Sequence, residues 1–262
     1  MASDKALIVL QENSGVTPLD SGIPPVVRDQ IRAIIDLVAE KFEDLKLSLQ
    51  GGGHYDVIHL LTDNRCTRTA LLNALVDETQ KGRTIDLIVL GHGTPEKLKL
   101  KRTPHLTGGE GGKIRSLLPD AKAKGVDEIS LRMVFMCNCY GSTVNDDWLA
   151  IGAQVSVGSR AINWMPEPMT TYFVHYWLAG ETAEEAARKA YDRTKLFYLP
   201  IFPPTPSVTT KNVEVTYPCP TWDDPSRTCT KEFQVPDGVE FIPHTNVRQS
   251  ELVAAGDLNS IF

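Results

Sequence analysis

Two residues in this chain have the right types and setting for nucleophilic chemistry, His92 and Cys139. Each closes a short apolar run. The first reads Ile85-Asp86-Leu87-Ile88-Val89-Leu90-Gly91-His92-Gly93, the second Leu131-Arg132-Met133-Val134-Phe135-Met136-Cys137-Asn138-Cys139-Tyr140-Gly141. Apolar runs of this length read as buried strands, and in a parallel sheet both would end at the same carboxyl edge, where open α/β folds place their sites. A thiol and an imidazole delivered to one edge are the minimum equipment of a cysteine hydrolase. Either residue alone carries little weight, because a histidine after a strand commonly caps it and a free cysteine commonly packs as a small hydrophobe. Their joint placement, each beside glycine, is what points to chemistry.

The elements that must position them follow from pattern. The first two hundred residues alternate strand-like and helix-like runs, the signature of βαβ units and a mostly parallel sheet. Strands are expected over 5–11, 55–61, 85–92, 131–139 and 153–162. Helices are expected over about 24–43, 68–80 (with Thr67 as N-cap), 145–151, 170–179 and 182–198. A long polar connection, 94–130, carries Lys97, Lys99 and Lys101 in the alternation of an exposed hairpin, and then Gly108 to Gly112. That cluster departs from the phosphate-loop pattern and reads as a mobile loop near the active edge. His59 and His175 read as packed or surface residues rather than ligands, and Trp148, Trp164 and Trp177 as core or pocket-wall aromatics. Beyond residue 200 prolines recur between strand-like pieces, 212–217 and 232–235, so the expected organisation is a domain over 1–200 and a β-rich C-terminal extension over 201–262, packed on the same domain.

The chain has 262 residues, 42% hydrophobic and 23% charged, with net charge −6. These are values of an ordinary globular protein, and they supply no basic face for nucleic acid. No apolar stretch is long enough to span a bilayer, and no secretory leader is expected at the N-terminus. Five cysteines at uneven spacing do not read as a disulfide framework. Cys219 and Cys229 would pair only in an oxidising compartment, and a reduced, cytoplasmic setting is expected.

The ordered pair resembles the caspase-like cysteine peptidases (clan CD), a superfamily that includes caspases, metacaspases, legumains and gingipains. These share a strand ending in His-Gly and a later strand ending in cysteine. Caspases place a Cys-x-Gly with its histidine about 50 residues upstream; here Cys139-Tyr140-Gly141 follows His92 by 47 residues. Leu61 to Arg68 is similar to the segment before the catalytic histidine in caspases and metacaspases. Gly152 to Ser159 is similar to the strand after the cysteine in gingipain-like and CHAT-type members. The likeness covers about residues 5–198. It departs from the family in Cys137-Asn138, where caspases have Gln-Ala and metacaspases Asp-Ser, and in a link of only about 13 residues between Cys139 and Ala153, which points to a single-chain enzyme.

The resemblance implies a three-layer α/β fold and a cysteine endopeptidase acting through a covalent acyl-enzyme. Cys139 would be the nucleophile and His92 the general acid and base. The backbone N–H groups of Gly93 and Cys139 would form the oxyanion hole. Cys139 keeps the Cys-x-Gly spacing. Cys137, two residues earlier and so on the same side of an extended strand, remains an alternative. A Cys-x-Cys metal site has no second ligand pair at zinc spacing, and neither metal nor cofactor is expected. Ser159 and Arg160 are the candidate substrate-binding residues. A buried Arg160 would select an acidic substrate residue, a surface Arg160 would not, and Asp20, Asp63 and Asp146 could instead serve a basic one. The expected partner is a protein or peptide substrate, with a possible regulatory protein and neither nucleic acid nor membrane. A catalytically inactive caspase-like interaction module and a flavodoxin-like domain with coincidental motifs are the competing readings.

Overall fold

Parallel pairing of the buried apolar runs organises the chain. In the computed structural model, which describes residues 4–12, 53–101, 104–199, 202–218 and 228–262, strands β1 (Lys5–Gln11), β2 (Val57–Thr62), β3 (Thr84–Leu90), β7 (Leu131–Met136), β8 (Val155–Ser159) and β11 (Leu252–Gly256) form one sheet. Its order is β11-β8-β7-β3-β1-β2. All neighbours are parallel except β11, which runs antiparallel along β8. The protein is therefore α/β with a mixed, mostly parallel central sheet. The helix expected over 24–43 lies outside the described residues.

Side chains alternate between two apolar layers, as a sheet covered on both faces requires. Ile8, Leu10, Leu87, Val134 and Met136 pack with Leu71 and Leu75 of helix α1 (Arg68–Gln80) and with Trp148. Trp148 belongs to the short helix α3 (Asn145–Leu149). A second short helix, α2 (Leu117–Lys122), adds Leu117 and Ala121 to that layer. On the other face Leu7, Val9, Met133, Phe135 and Val157 meet two helices. These are α4 (Pro166–Leu178), through Met169, Phe173 and Trp177, and α5 (Ala183–Tyr198), through Ala183, Ala186 and Ala190. Helix α1 begins at the expected cap, where the Thr67 hydroxyl accepts from the Ala70 N–H at 3.2 Å.

One irregularity sets the register. Ile85 pairs with Leu131 but Asp86 pairs with Met133, so Arg132 is an extra residue, a β-bulge. The bulge flips the alternation: Leu131 and Val134, three apart, share one layer. It also turns the Arg132 guanidinium onto the fully buried Asp86 carboxylate, by Nε at 2.9 Å and Nη2 at 2.5 Å. Tyr55 (2.7 Å) and Trp177 (3.0 Å) donate to the same carboxylate. The Phe262 ring lies 4.8 Å from the guanidinium. Burial, and then the adjacent Asp86 charge, push the Tyr55 phenol well above its usual range. The network is closed: both charges are paired and hydrogen-bonded, as burial demands.

The expected 94–130 connection proves to contain a small sheet. Strand β4 (Gly93–Thr94) pairs with β5 (Lys97–Leu98), which pairs with β6 (Leu106–Thr107). Lys99 and Lys101 beside it are exposed, as the alternation predicts. The glycine cluster is tied down rather than loose: the Gly109 N–H donates to the buried Asp147 carboxylate at 3.0 Å, and Arg115 Nε holds the same group at 2.5 Å. The expected 201–262 extension divides into two parts. Strands β9 (Thr205–Pro218) and β10 (Thr228–Ile242) form an antiparallel hairpin within a unit spanning Leu199–Thr245. Residues from Asn246 onward belong to the same unit as the sheet. They supply β11 and part of helix α6 (Thr245–Gln249). Leu252, expected as tail, pairs with Ser159 at the end of β8.

Two measurements check this account. Arg132→Leu leaves the Asp86 carboxylate buried without its counter-charge, and should lower unfolding stability in a denaturant titration by about 3–5 kcal/mol. At Glu78, burial raises the carboxyl, but hydrogen bonds from Lys81, Arg83 and His59 outweigh it and hold the group at about 2, against an ordinary 4.5. A depressed carboxyl contributes stability that is complete above about pH 4.5 and is lost as pH falls through about 2. Glu78→Gln should remove about 1–2 kcal/mol at neutral pH, solvent screening allowed for, and flatten the stability profile across that window.

Candidate active site

At the carboxyl edge, β3 lies between β1 and β7, so its end is flanked on both sides. On one side the Glu12 N–H donates to Leu90 O at 2.9 Å, and on the other the Cys137 N–H donates to Val89 O at 3.1 Å. From the bulge onward the β3–β7 pairing runs at the offset Val89↔Met136, and the same offset relates His92 to Cys139. The two candidate residues thus follow the ends of adjacent, in-register strands.

The closest approach is made by Gly93. A Cβ there would overlap the Cys139 carbonyl and the Asn138 side-chain amide, so the position admits only glycine while the two turns stay in contact. Asn138, itself buried, donates Nδ2 to that carbonyl at 2.9 Å. The Lys99 N–H donates to His92 O at 2.9 Å, which makes 92/99 a hydrogen-bonded pair and, by antiparallel alternation, leaves Gly93/Leu98 a non-bonded one. The Gly93 N–H is therefore directed away from β5, in keeping with an oxyanion donor. His92 is partly buried, and its N–H donates to Glu12 Oε2 at 3.5 Å.

The turn after β7 separates the two cysteines. The expected strand to residue 139 stops at Met136, so Cys139 lies beyond the regular strand, although both thiols still meet Asn163. Cys137 continues the alternation onto the α4–α5 face and is 6% exposed. Its Sγ donates to Pro166 O at 3.2 Å, and burial pushes the thiol up to about 12. Cys139 lies beyond the strand and is partly exposed. Burial raises its thiol too, but the backbone N–H groups of Asn163 and of Cys139 itself oppose the rise by favouring the thiolate. Tyr140 then takes left-handed φ of 58° and donates its N–H to Ala161 O at 2.6 Å. Gly141 follows, pressed against Met136 and the Gly158 backbone, so the chain doubles back over β8 immediately after the thiol.

The other candidates are dispersed. Ser159 is fully buried at the end of β8, and its hydroxyl has no hydrogen-bond partner among the described residues. Arg160 is a surface group: its side chain is 60% exposed and its Nε pairs with Glu251 at 2.8 Å, so the guanidinium is not the buried one that an acidic pocket would need. Asp146 is exposed on α3. Asp20 and the Asp63 side chain lie outside the described residues. His59 pairs with Glu78 at 3.0 Å, His175 is exposed, and Trp148 and Trp177 are core.

Sequence reasoning missed Glu12 and Asn163. Glu12 directly follows the first strand, so its arrival at this edge was implied by the parallel sheet. Asn163 lies in the loop after β8, where no pattern marked it. Besides its backbone contact with Cys139, it donates Nδ2 to Cys137 O at 3.3 Å and to Cys137 Sγ at 3.4 Å. No family model matches the chain, and no curated protein is significantly similar to it in sequence.

The geometry predicts unequal thiols. On alkylation of the folded protein with iodoacetamide, peptide mapping should find Cys139 modified at least about a hundredfold faster than Cys137. Because the Cys139 thiol is raised above its ordinary 9.0, its alkylation rate should still be climbing with pH beyond 9 in the absence of substrate.

Proposed function

We propose that this chain is a caspase-like cysteine endopeptidase in which Cys139 attacks the scissile carbonyl and His92 serves as general acid and base. The observation that carries the reading is the contact of the His92-Gly93 turn with the Cys139 carbonyl at the carboxyl edge, beside a partly exposed thiol. A buried, sealed Cys139 would have argued against it. Such burial instead describes Cys137, which leaves Cys139 as the nucleophile.

In the proposed reaction the Cys139 sulfur adds to the peptide carbonyl, whose oxygen is met by the N–H groups of Gly93 and Cys139. His92 first takes the thiol proton and then delivers it to the leaving amine. It next draws a proton from the water that releases the acyl group. The Asn163 N–H favours the thiolate before attack. Glu12 acts one step removed, by holding the His92 backbone. Since the Cys139 thiol sits above its ordinary range when free, substrate binding and the imidazole must supply the remaining activation.

The strand order is shared with flavodoxin-like sheets, so the order alone does not favour a peptidase over that alternative. The position of the thiol does. The inactive-module reading draws on the same raised thiol, and labelling separates the two. An acyloxymethyl-ketone peptide probe should label wild type at Cys139. Cys139→Ala should abolish labelling and Cys137→Ala should retain it. His92→Ala should slow it by about 10²–10⁴-fold. A folded wild type that takes up no probe, or a His92→Ala variant that labels at the wild-type rate, would overturn the proposal.

A further inference from the structure

Cys137 has no part in the mechanism above, yet it is placed to act on the residue that does. Two residues apart, the α-carbons of Cys137 and Cys139 can be separated by at most about 7 Å, and any bend in the chain brings them closer. The chain does bend here: β7 ends at Met136 and Tyr140 is left-handed. The separation thus falls in the range that a disulfide bridges, up to about 6.8 Å. Asn163 brings the sulfurs to one place, since its side-chain Nδ2 lies 3.4 Å from Cys137 Sγ and its backbone N–H faces Cys139 Sγ. Their exposures differ in a way that fixes the order of events. Cys139 is partly open to solvent, whereas Cys137 is 6% exposed. Cys66 is 1% exposed in the apolar layer on the opposite face of the sheet from Cys137, and is no partner for either.

We propose that Cys137 is a resolving thiol: once a hydroperoxide has oxidised Cys139, the two cysteines close a reversible Cys137–Cys139 disulfide that shields the site from irreversible oxidation. In the first step the Cys139 sulfur attacks a peroxide oxygen and the O–O bond breaks. The products are a sulfenic acid on Cys139 and one molecule of water (or of alcohol, from an organic peroxide). In the second the Cys137 sulfur attacks the Cys139 sulfur and the S–O bond breaks. The departing hydroxide leaves as water with the proton of Cys137. The peroxide is reduced by two electrons, one drawn from each sulfur. A dithiol reductant reverses the process and restores both thiols.

The inference rests on Cys139 being the reactive thiol of the proposed peptidase, but its readout is mass rather than turnover. The full chain, treated with a small molar excess of hydrogen peroxide, should lose two hydrogens in intact mass. Non-reducing peptide mapping should place the link between Cys137 and Cys139, and dithiothreitol should restore both mass and probe labelling. Without its resolving partner, Cys137→Ala should accumulate sulfinic acid at Cys139 and lose probe labelling irreversibly at least about tenfold faster than wild type. A wild type that goes directly to sulfinic acid, or links any other cysteines, overturns the proposal, and this arm needs no variant to fold. A Cys137–Cys139 link in a protein that no peptide probe labels would sink the peptidase reading and leave the disulfide standing.

Discussion

The register of β7 against β3 is the constraint on which the carboxyl edge depends, and a buried ion pair at the amino end of those strands holds it. Arg132 is the extra residue of the bulge, and its guanidinium is bound by Asp86, the residue at which the pairing shifts. A one-residue slip in pairing would send the side chains of β7 to the wrong faces. Phe135 would face α1 and Met136 the α4–α5 layer, and the turn carrying Cys139 would meet a different residue from Gly93. A buried charge pair adds little net stability over apolar packing of equal volume, but leaving either charge alone is costly. In this protein that asymmetry anchors β7 to β3 at the residue where the pairing shifts.

The two ends of the sheet divide labour. The amino end holds a closed polar network (Asp86, Arg132, Tyr55 and Trp177) in which the donors and the carboxylate satisfy one another. The carboxyl end is left incompletely satisfied. Asn138 Oδ1 and Ser159 Oγ are buried without partners among the described residues, Tyr140 holds a left-handed backbone, and a thiol sits half-buried between two N–H groups. A backbone outlier of this kind costs about 1–3 kcal/mol, and it persists only where the surroundings over-determine it. Gly141, pressed on Gly158, and the Tyr140 N–H bond to Ala161 O provide that determination. Concentration of strain and unsatisfied polar atoms at one edge accords with a site there.

The pair Cys137 and Cys139 shows how two identical side chains two residues apart acquire opposite properties. Alternation carries Cys137 into the layer of Phe135 and Phe173, where burial outweighs the hydrogen bond from Asn163 and disfavours an ionised sulfur. The end of the strand releases Cys139 into a turn, where backbone dipoles replace part of the lost water. Burial is the larger influence on both thiols, and access to solvent is what distinguishes them.

Much of this was legible in the chain itself. Apolar runs fixed which segments are strands, the Thr67 cap fixed where α1 begins, and the two Gly-flanked strand ends marked the edge where chemistry could collect, because burial and hydrogen bonding are local demands that local sequence must meet. What the sequence did not contain was pairing between distant segments. It showed neither that Arg132 bulges toward Asp86, nor that residues after Asn246 return to the sheet as an antiparallel edge, nor that Arg160 spends its charge on Glu251 at the surface. It preferred Cys139 to Cys137 only by spacing to Gly141, and did not show the difference in burial between them. Which thiol is exposed, and what stands beside it, is decided by contacts between residues far apart in sequence, and those exist only once the sheet has assembled.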